Sequence, residues 1–358
     1  MSRFLMVDIG AGTMDVLWYD TESELHFKAV VKSPVRYLAE EAEKLSGNLL
    51  VSGTEMGGGP VTAILKARAQ YNEVVMSASA AATLHHNPDK VRSWGIDVVE
   101  DAKIEDLRSD GKYSHLVLGD LDPDRLRRIV EGFGVTFAVD AVAVCAQDHG
   151  VPPAGVSHLD FRHNMFQTRL GGNPYPHVLL YKNDEVPVEM NRLSSIARNA
   201  GSIPADEIYV MDSGMAAILG GSMDVLARNK TRVVILDVAT SHTVGAAMLG
   251  DEVAGFFEYH TSDITLDRLE NLLLQLCNGK IEHGRILAEG GHGAYLRTAI
   301  GFQNVEVIIA TGPKRRLVEP SKLPMAPGAP WGDNMMTGTV GLLEALRRRK
   351  RLEPINYL

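Results

Sequence analysis

Cysteine is nearly missing from this chain of 358 residues: Cys145 and Cys277 are the only two, far apart and in no CxxC pair. That excludes a disulfide framework and a cysteine-rich metal site, and it fits a reduced, cytoplasmic setting. Both thiols lie in apolar runs and read as core. Aromatic residues make up only 6%, which leaves few platforms on which bases could stack, and no basic groove interleaves with them. Basic residues are outnumbered 36 to 45 by acidic ones, for a net charge of −9; this keeps the chain soluble and argues against a general nucleic-acid surface. No window approaches the roughly 18 apolar residues that cross a bilayer, and "MSRFLMVDIG" lacks the apolar run of a signal peptide. Neither nucleic acid nor membrane is an expected partner.

What is present is enough apolar material, 45%, to bury a large core in two or three compact units. Short apolar runs ending in Asp, Gly or Thr, such as "RFLMVDIG", "NLLVSG", "HLVLGD", "FAVDAVAVCA", "EIYVMD", "RVVILDVA" and "VEVIIATG", read as buried strands. Helix-like stretches separate them, among them "PVTAILKARAQY", "DPDRLRRIVEGF", "SGMAAILGGSMDVLARN" and "MTGTVGLLEALRRRK". The class is therefore α/β. Asp122 before Pro123 and Ser262 before Asp263 are expected N-caps. Two Pro- and Gly-rich segments, Asp148 to Asn164 and Val318 to Asn334, read as loops.

No tandem repeat is evident, yet "LMVDIGAGTMDVLW" and "VVILDVATSHTVGAAML" share an apolar strand, an Asp, a small-residue turn with Thr, and a second strand. Two such hairpins suggest two similarly built halves facing each other. In the first, Gly10 and Gly12 let backbone N–H groups approach a ligand closely and Thr13 adds a hydroxyl, the makings of a phosphate cradle. Asp8 and Asp15 would repel phosphate directly, so a carboxylate there more plausibly orients a hydrated Mg²⁺. The alternative is an ordinary tight hairpin.

The order of motifs resembles the superfamily of actin, the Hsp70 chaperones and sugar kinases, in which two similar domains close on a nucleotide. "DIGAGTMD", Asp8 to Asp15, is similar to that family's first phosphate motif at every defined position, and "LDVATSH" resembles the second, with its acid at Asp237. "MDSGMAAILGG" and "DNMMTGTVGLLEAL" look like the family's two connecting helices, and "VIIATGPKR" like its adenosine motif. The resemblance implies a two-domain actin-like ATPase fold, duplicated ribonuclease H-like domains with a cleft between them. The first would span residues 1–230 with inserted loops and be completed by the helix at 335–358, and the second would span 231–334. It also implies ATP and Mg²⁺ as cofactors. Gly10, Ala11, Gly12, Thr13, Asp15, Asp237, Thr240, Ser241 and His242 would hold phosphate, Gly312 would face adenosine, and Asp8 and Asp237 would hold Mg²⁺ through water. Asp8 and Asp212 are the catalytic candidates, Asp212 as an orienter of attacking water; its alternative is the N-cap of the helix that follows. Ala239, Thr240 and Ser241 replace the usual glycines of the second loop, which makes binding a firmer expectation than hydrolysis.

Further candidates surround this frame. "GTEMGGGP" puts Gly57, Gly58 and Gly59 before a helix, as a substrate-facing loop or a flexible turn. His149, His158 and His163 with Asp148 and Asp160 could supply metal ligands, or simply be hydrogen-bonded loop residues. His292, in "EGGHGAYLRTA", is a candidate substrate contact. "LRRRKRLEP" is the one basic cluster, explained by the helix dipole and solvation. "TEMGGGP", "AQDHG", "GGHGA" and "GDNMMTG" resemble, more narrowly, a microbial family labelled as pyruvate formate-lyase activating enzymes. Radical chemistry needs a CxxxCxxC triad, which two isolated cysteines cannot build. The resemblance implies an ATPase that activates or remodels a partner enzyme, or else a small-molecule kinase or phosphotransferase, or a non-catalytic nucleotide or metabolite binder.

Overall fold

The computed structural model describes residues 2–153 and 155–357. The chain opens with a meander, β1 (Arg3–Ile9), β2 (Thr13–Asp20) and β3 (His26–Lys32). It continues through β4 (Asn48–Gly53), β5 (Val74–Ser77), β6 (Asp97–Val99) and β7 (Tyr113–Leu118), and then β8 (Val139–Ala146), β9 (Leu180–Lys182) and β10 (Ala205–Asp212). A second meander follows, β11 (Arg232–Val238), β12 (His242–Leu249) and β13 (Glu252–His260), and β14 (Gly293–Leu296), β15 (Val307–Thr311) and β16 (Met325–Pro327) end the series.

The strands pair into three sheets, ordered β3-β2-β1-β8-β10-β9, β14-β13-β12-β11-β15-β16 and β6-β5-β4-β7. In the first two, an antiparallel meander is extended by two strands parallel to its first member, β8 and β10 in one and β15 and β16 in the other. The same order of antiparallel and parallel neighbours twice in one chain is the duplication that the two hairpins pointed to.

The third sheet is a finding the sequence did not disclose. Between β3 and β8, β4 to β7 form an all-parallel sheet with its own core of Val51, Leu65, Met76, Ile96 and Leu118. β4 and β7 were visible as apolar runs and β5 and β6 were not; the pairing of the four is non-local and had no local signal. Two boundaries also moved. The segment from Asp148 is irregular only to Ser157, whose hydroxyl caps a helix His158–Gly172 that the Pro- and Gly-rich composition had hidden. Asp122 caps its helix as expected, but Ser262 does not: the next helix starts at Leu266 under Thr265.

Two helices, Ser213–Ser222 and Thr337–Lys350, cross between the halves. Their residues Met215, Leu219, Val340 and Leu343 join both sheets in one core with Phe4, Leu5, Val233 and Ile235. Alternate residues of β11, Val234 and Leu236, face a separate core on the far side of the second sheet, as a period of two requires. The crossing is a backbone contact. A Cβ on Gly220 would lie 1.8 Å from the Thr337 carbonyl oxygen, and one on Gly341 would lie 1.8 Å from that of Ala216. The basic run at the end of the second helix is not a free solvated face: Arg347 and Arg348 pair with buried Glu344, Arg349 with Glu185 and Lys350 with Glu207.

Candidate functional site

The β1–β2 and β11–β12 hairpins face each other across a cleft of about 560 Å³. They are built to one pattern. Gly10 N–H donates to the Thr13 carbonyl at 3.0 Å, and Ala239 N–H to the His242 carbonyl at 3.1 Å. Asp8 and Asp237 each stand one residue before the end of their strand, so Thr13 and His242 occupy equivalent positions. The tips touch: a Cβ on Gly12 would lie 2.6 Å from Thr240 Oγ1, so only glycine lets the loops approach this closely.

Behind the tips three carboxylates converge. Loss of hydration pushes Asp8 up to about 6, against a hydrogen bond from the Cys145 thiol at 3.2 Å, with the charge of Asp237 adding to the rise. Loss of hydration, then the charge of Asp8, push buried Asp15 up to about 8. Asp237 rises to about 6 for want of hydration, opposed by a hydrogen bond from the Thr311 hydroxyl at 3.0 Å. No basic group is among the influences on any of the three, and Asp15 Oδ1 has no hydrogen-bond partner. Such a set is short of positive charge and suits a hard cation with oxygen ligands. Gly312, at φ +88°, completes the wall, because a Cβ there would strike the Val238 carbonyl at 2.6 Å and Asp237 Oδ1 at 2.8 Å. Gly338 does the same beside Asp8, whose Oδ2 lies 2.0 Å from the place a Cβ would take.

Gly10, Ala11, Gly12, Thr13, Asp8, Asp15, Asp237, Thr240, Ser241, His242 and Gly312 thus all line the cleft, as do Gly57, Gly58, Gly59 and His149. Asp212 does not. It is 1% exposed; Oδ1 accepts from the Gly214 and Met215 N–H groups at 3.0 and 3.2 Å, and Oδ2 receives Arg162 Nη2 at 2.9 Å. Its geometry is that of an N-cap locked to an arginine.

The expected histidine set is regrouped by the tertiary structure. Asp148 is taken up by the N–H groups of Gly150 and Leu193, at 2.8 and 2.9 Å. His163 stacks on His283 at 3.5 Å, and His283 Nε2 bonds Asp160 at 3.2 Å. His158 contacts the Gly150 carbonyl at 3.2 Å. His149 instead meets His242 and His292, whose ligand-capable atoms all lie within 4.8 Å of one another.

Around that meeting point is a polar network without a sequence signal. Arg162, on the His158–Gly172 helix, bridges Asp212 and Glu258; Gln147 also donates to Glu258. Burial opposes ionisation of Glu258, but the Arg162 guanidinium holds its carboxyl well below the usual range. His149 is pushed down to about 3 and His242 to about 4, by burial first. On the side of the third sheet, Arg192 grips buried Asp120 with Nε and Nη2 at 2.7 and 2.9 Å, and Gly57 N–H donates to the same carboxylate at 3.2 Å. Asp120 follows β7 and Gly57 follows β4, so the strand ends of the inserted sheet form one wall of the cleft.

Duplicated sheets, crossed small-residue helices and facing acid-bearing hairpins define a protein of the actin-like, ribonuclease H-like class. Within it, residues 56–317 match the family described as "Putative pyruvate format-lyase activating enzyme (DUF1786)", and the chain belongs to that family. Among solved structures it is similar to a PilM–PilN type IV pilus biogenesis complex (12% identity, 98% of each chain covered, TM-score 0.41). It is similar also to the ROK hexokinase of Thermus thermophilus (12% identity, 98% of this chain and 99% of that one, TM-score 0.33). The ethanolamine utilization protein EutJ of Carboxydothermus hydrogenoformans is a third (10% identity, 97% and 90%, TM-score 0.30). No curated protein matches the sequence. The two cysteines sit apart, Cys145 against Asp8 in the first sheet and Cys277 in the core of the second, an arrangement unlike the thiolate triad of a radical activase.

Proposed function

We propose that the interdomain cleft binds a magnesium nucleotide, ATP, and that closure of the two halves about the crossed helices couples its hydrolysis to activation or remodelling of a partner enzyme. The observation that carries this reading is the convergence of Asp8, Asp15 and Asp237, uncompensated by any basic group, behind two hairpin tips that glycine allows to touch. Mg²⁺ bound there would neutralise charge on the phosphates. Gly10 to Thr13 would supply backbone and hydroxyl donors from one side and Thr240 and Ser241 from the other, with Gly312 toward the base. Asp212 would act at one remove, by holding Arg162, rather than by touching water.

A second reading, a small-molecule phosphotransferase, is favoured by one feature. The cleft continues past the hairpins to Glu55 and Gly57 after β4, His86 after β5 and its short helix, and Asp120 after β7, on the carboxyl side of the inserted sheet, and open α/β sheets seat ligands at such ends. Calorimetry with ATP and Mg²⁺ tests the common core: wild type is expected to bind and Asp8→Asn to bind much more weakly. Absence of wild-type binding, or equal affinity in the variant, overturns it. Phosphate release without an acceptor marks the ATPase, a phosphorylated metabolite in the mass spectrum marks the transferase, and firm binding without turnover marks a nucleotide-gated binder.

A further inference from the structure

We propose that His149, His242 and His292 form a three-imidazole site for a borderline divalent metal of the zinc type, bridging the two halves of the molecule beside the phosphate end of the cleft. His149 comes from the segment after β8 in the first half, and His242 and His292 come from the second. Zinc holds its ligands at 2.0 to 2.1 Å, which puts imidazole nitrogens about 3.4 Å apart; the nitrogens here already lie within 4.8 Å of one another, and ring rotation closes the difference.

Two further observations point to a missing ligand. His242 Nε2 is buried and has no hydrogen-bond partner, a costly condition for a polar atom that a metal or a bridging donor would remove. Glu258 lies 3.7 Å from His292 Nδ1, where a carboxylate behind a ligating histidine fixes its tautomer and raises its basicity; this leaves Nε2, now 3.0 Å from His260 Nε2, to turn to the metal. That carboxylate is itself held by Arg162 and Gln147, so the supporting groups are in place without the metal. His242 stands where the first hairpin has Thr13. The second hairpin thus carries an imidazole where the first carries a hydroxyl, and its end serves the histidine site.

Three histidines leave a fourth position open, the pattern of a reactive rather than a purely structural zinc centre. His149 and His242 line the cleft, so that position faces the space beyond the hairpins, where a substrate oxygen or a water would be polarised. Because its ligands come from both halves, the metal would also hold the cleft closed. This site is separate from the oxygen-rich one at Asp8 and Asp237 and needs no nucleotide.

The test uses the full chain, stripped with a chelator and titrated with Co²⁺ in excess Mg²⁺, followed by visible absorption and elemental analysis. The expected result is an intense tetrahedral-type cobalt spectrum saturating at one metal per chain, displaced by Zn²⁺ and not by Mg²⁺. It should be lost in His149→Ala and His242→Ala, retained in His163→Ala, and weakened about 10- to 100-fold in Glu258→Gln. Far-ultraviolet circular dichroism checks that each variant is folded. Wild-type protein that gives no such spectrum and retains no metal overturns the proposal, as does a spectrum unchanged in folded His149→Ala and His242→Ala.

Discussion

Replacing Asp237 by Asn should make the ligand-free protein more stable and the loaded protein less so. The carboxyl of Asp237 rises from 3.8 to about 6 on folding, because it loses hydration behind the β11–β12 hairpin. At about 1.4 kcal/mol per pH unit, keeping it ionised above pH 6 costs roughly 3 kcal/mol, an upper figure because the residue is partly open to cleft water. The sign follows from proton linkage: the folded pKa is the higher one, so this contribution is fully present below the unfolded value and is lost as pH rises through the folded value. Wild type should therefore lose stability between about pH 4 and pH 6, whereas Asp237→Asn, which can still accept from Thr311, should lack that part of the slope. Near pH 7.5 the variant should melt a few degrees higher without ligand, at roughly 2 to 4 °C per kcal/mol for a large domain. Mg²⁺–ATP at 1,000 times its dissociation constant should reverse the order, since it adds about 4.1 kcal/mol to wild type alone. Differential scanning fluorimetry over a pH series reads both effects. A variant that is less stable without ligand at every pH, or that keeps the full Mg²⁺–ATP shift, would refute the reasoning.

Gly341→Ala places a methyl 1.8 Å from the Ala216 carbonyl in a backbone contact that cannot yield, so a loss of about 3 kcal/mol or more in urea denaturation is expected. Gly12→Ala should part the hairpin tips and weaken nucleotide binding in calorimetry, and adding Thr240→Gly, which removes the clashing hydroxyl and methyl, should restore much of it. Arg162→Leu leaves Glu258 and Asp212 facing each other without a cation, and denaturant titration should show a loss of about 3 to 5 kcal/mol.

The sequence by itself determined what is written in consecutive residues. "DIGAGTMD" is a hairpin whose acids, glycines and threonine all lie within eight positions, although the requirement for glycine at 12 comes from Thr240 in the opposite hairpin. The echo at Asp237, the small-residue helices and the caps at Asp122 and Asp212 were legible for the same reason: caps and strand periods are local. Asp212 shows where local reading stops: its cap to Gly214 and Met215 is local, but the burial of its other oxygen against Arg162, fifty positions away in the chain, is not. The tertiary structure decided the rest. It joined strands read singly, such as β4 and β7, into a third parallel sheet, since strand pairing is made between segments that carry no mark of their partner. It dispersed the histidines adjacent in sequence, His158 and His163 to separate contacts, and drew His149 to His242 and His292 from the opposite half. Imidazoles are brought together by the fold that places their backbones, not by their spacing along the chain. For that reason the acid- and glycine-bearing hairpin could be read at the outset, and the histidine cluster only once both halves were in view.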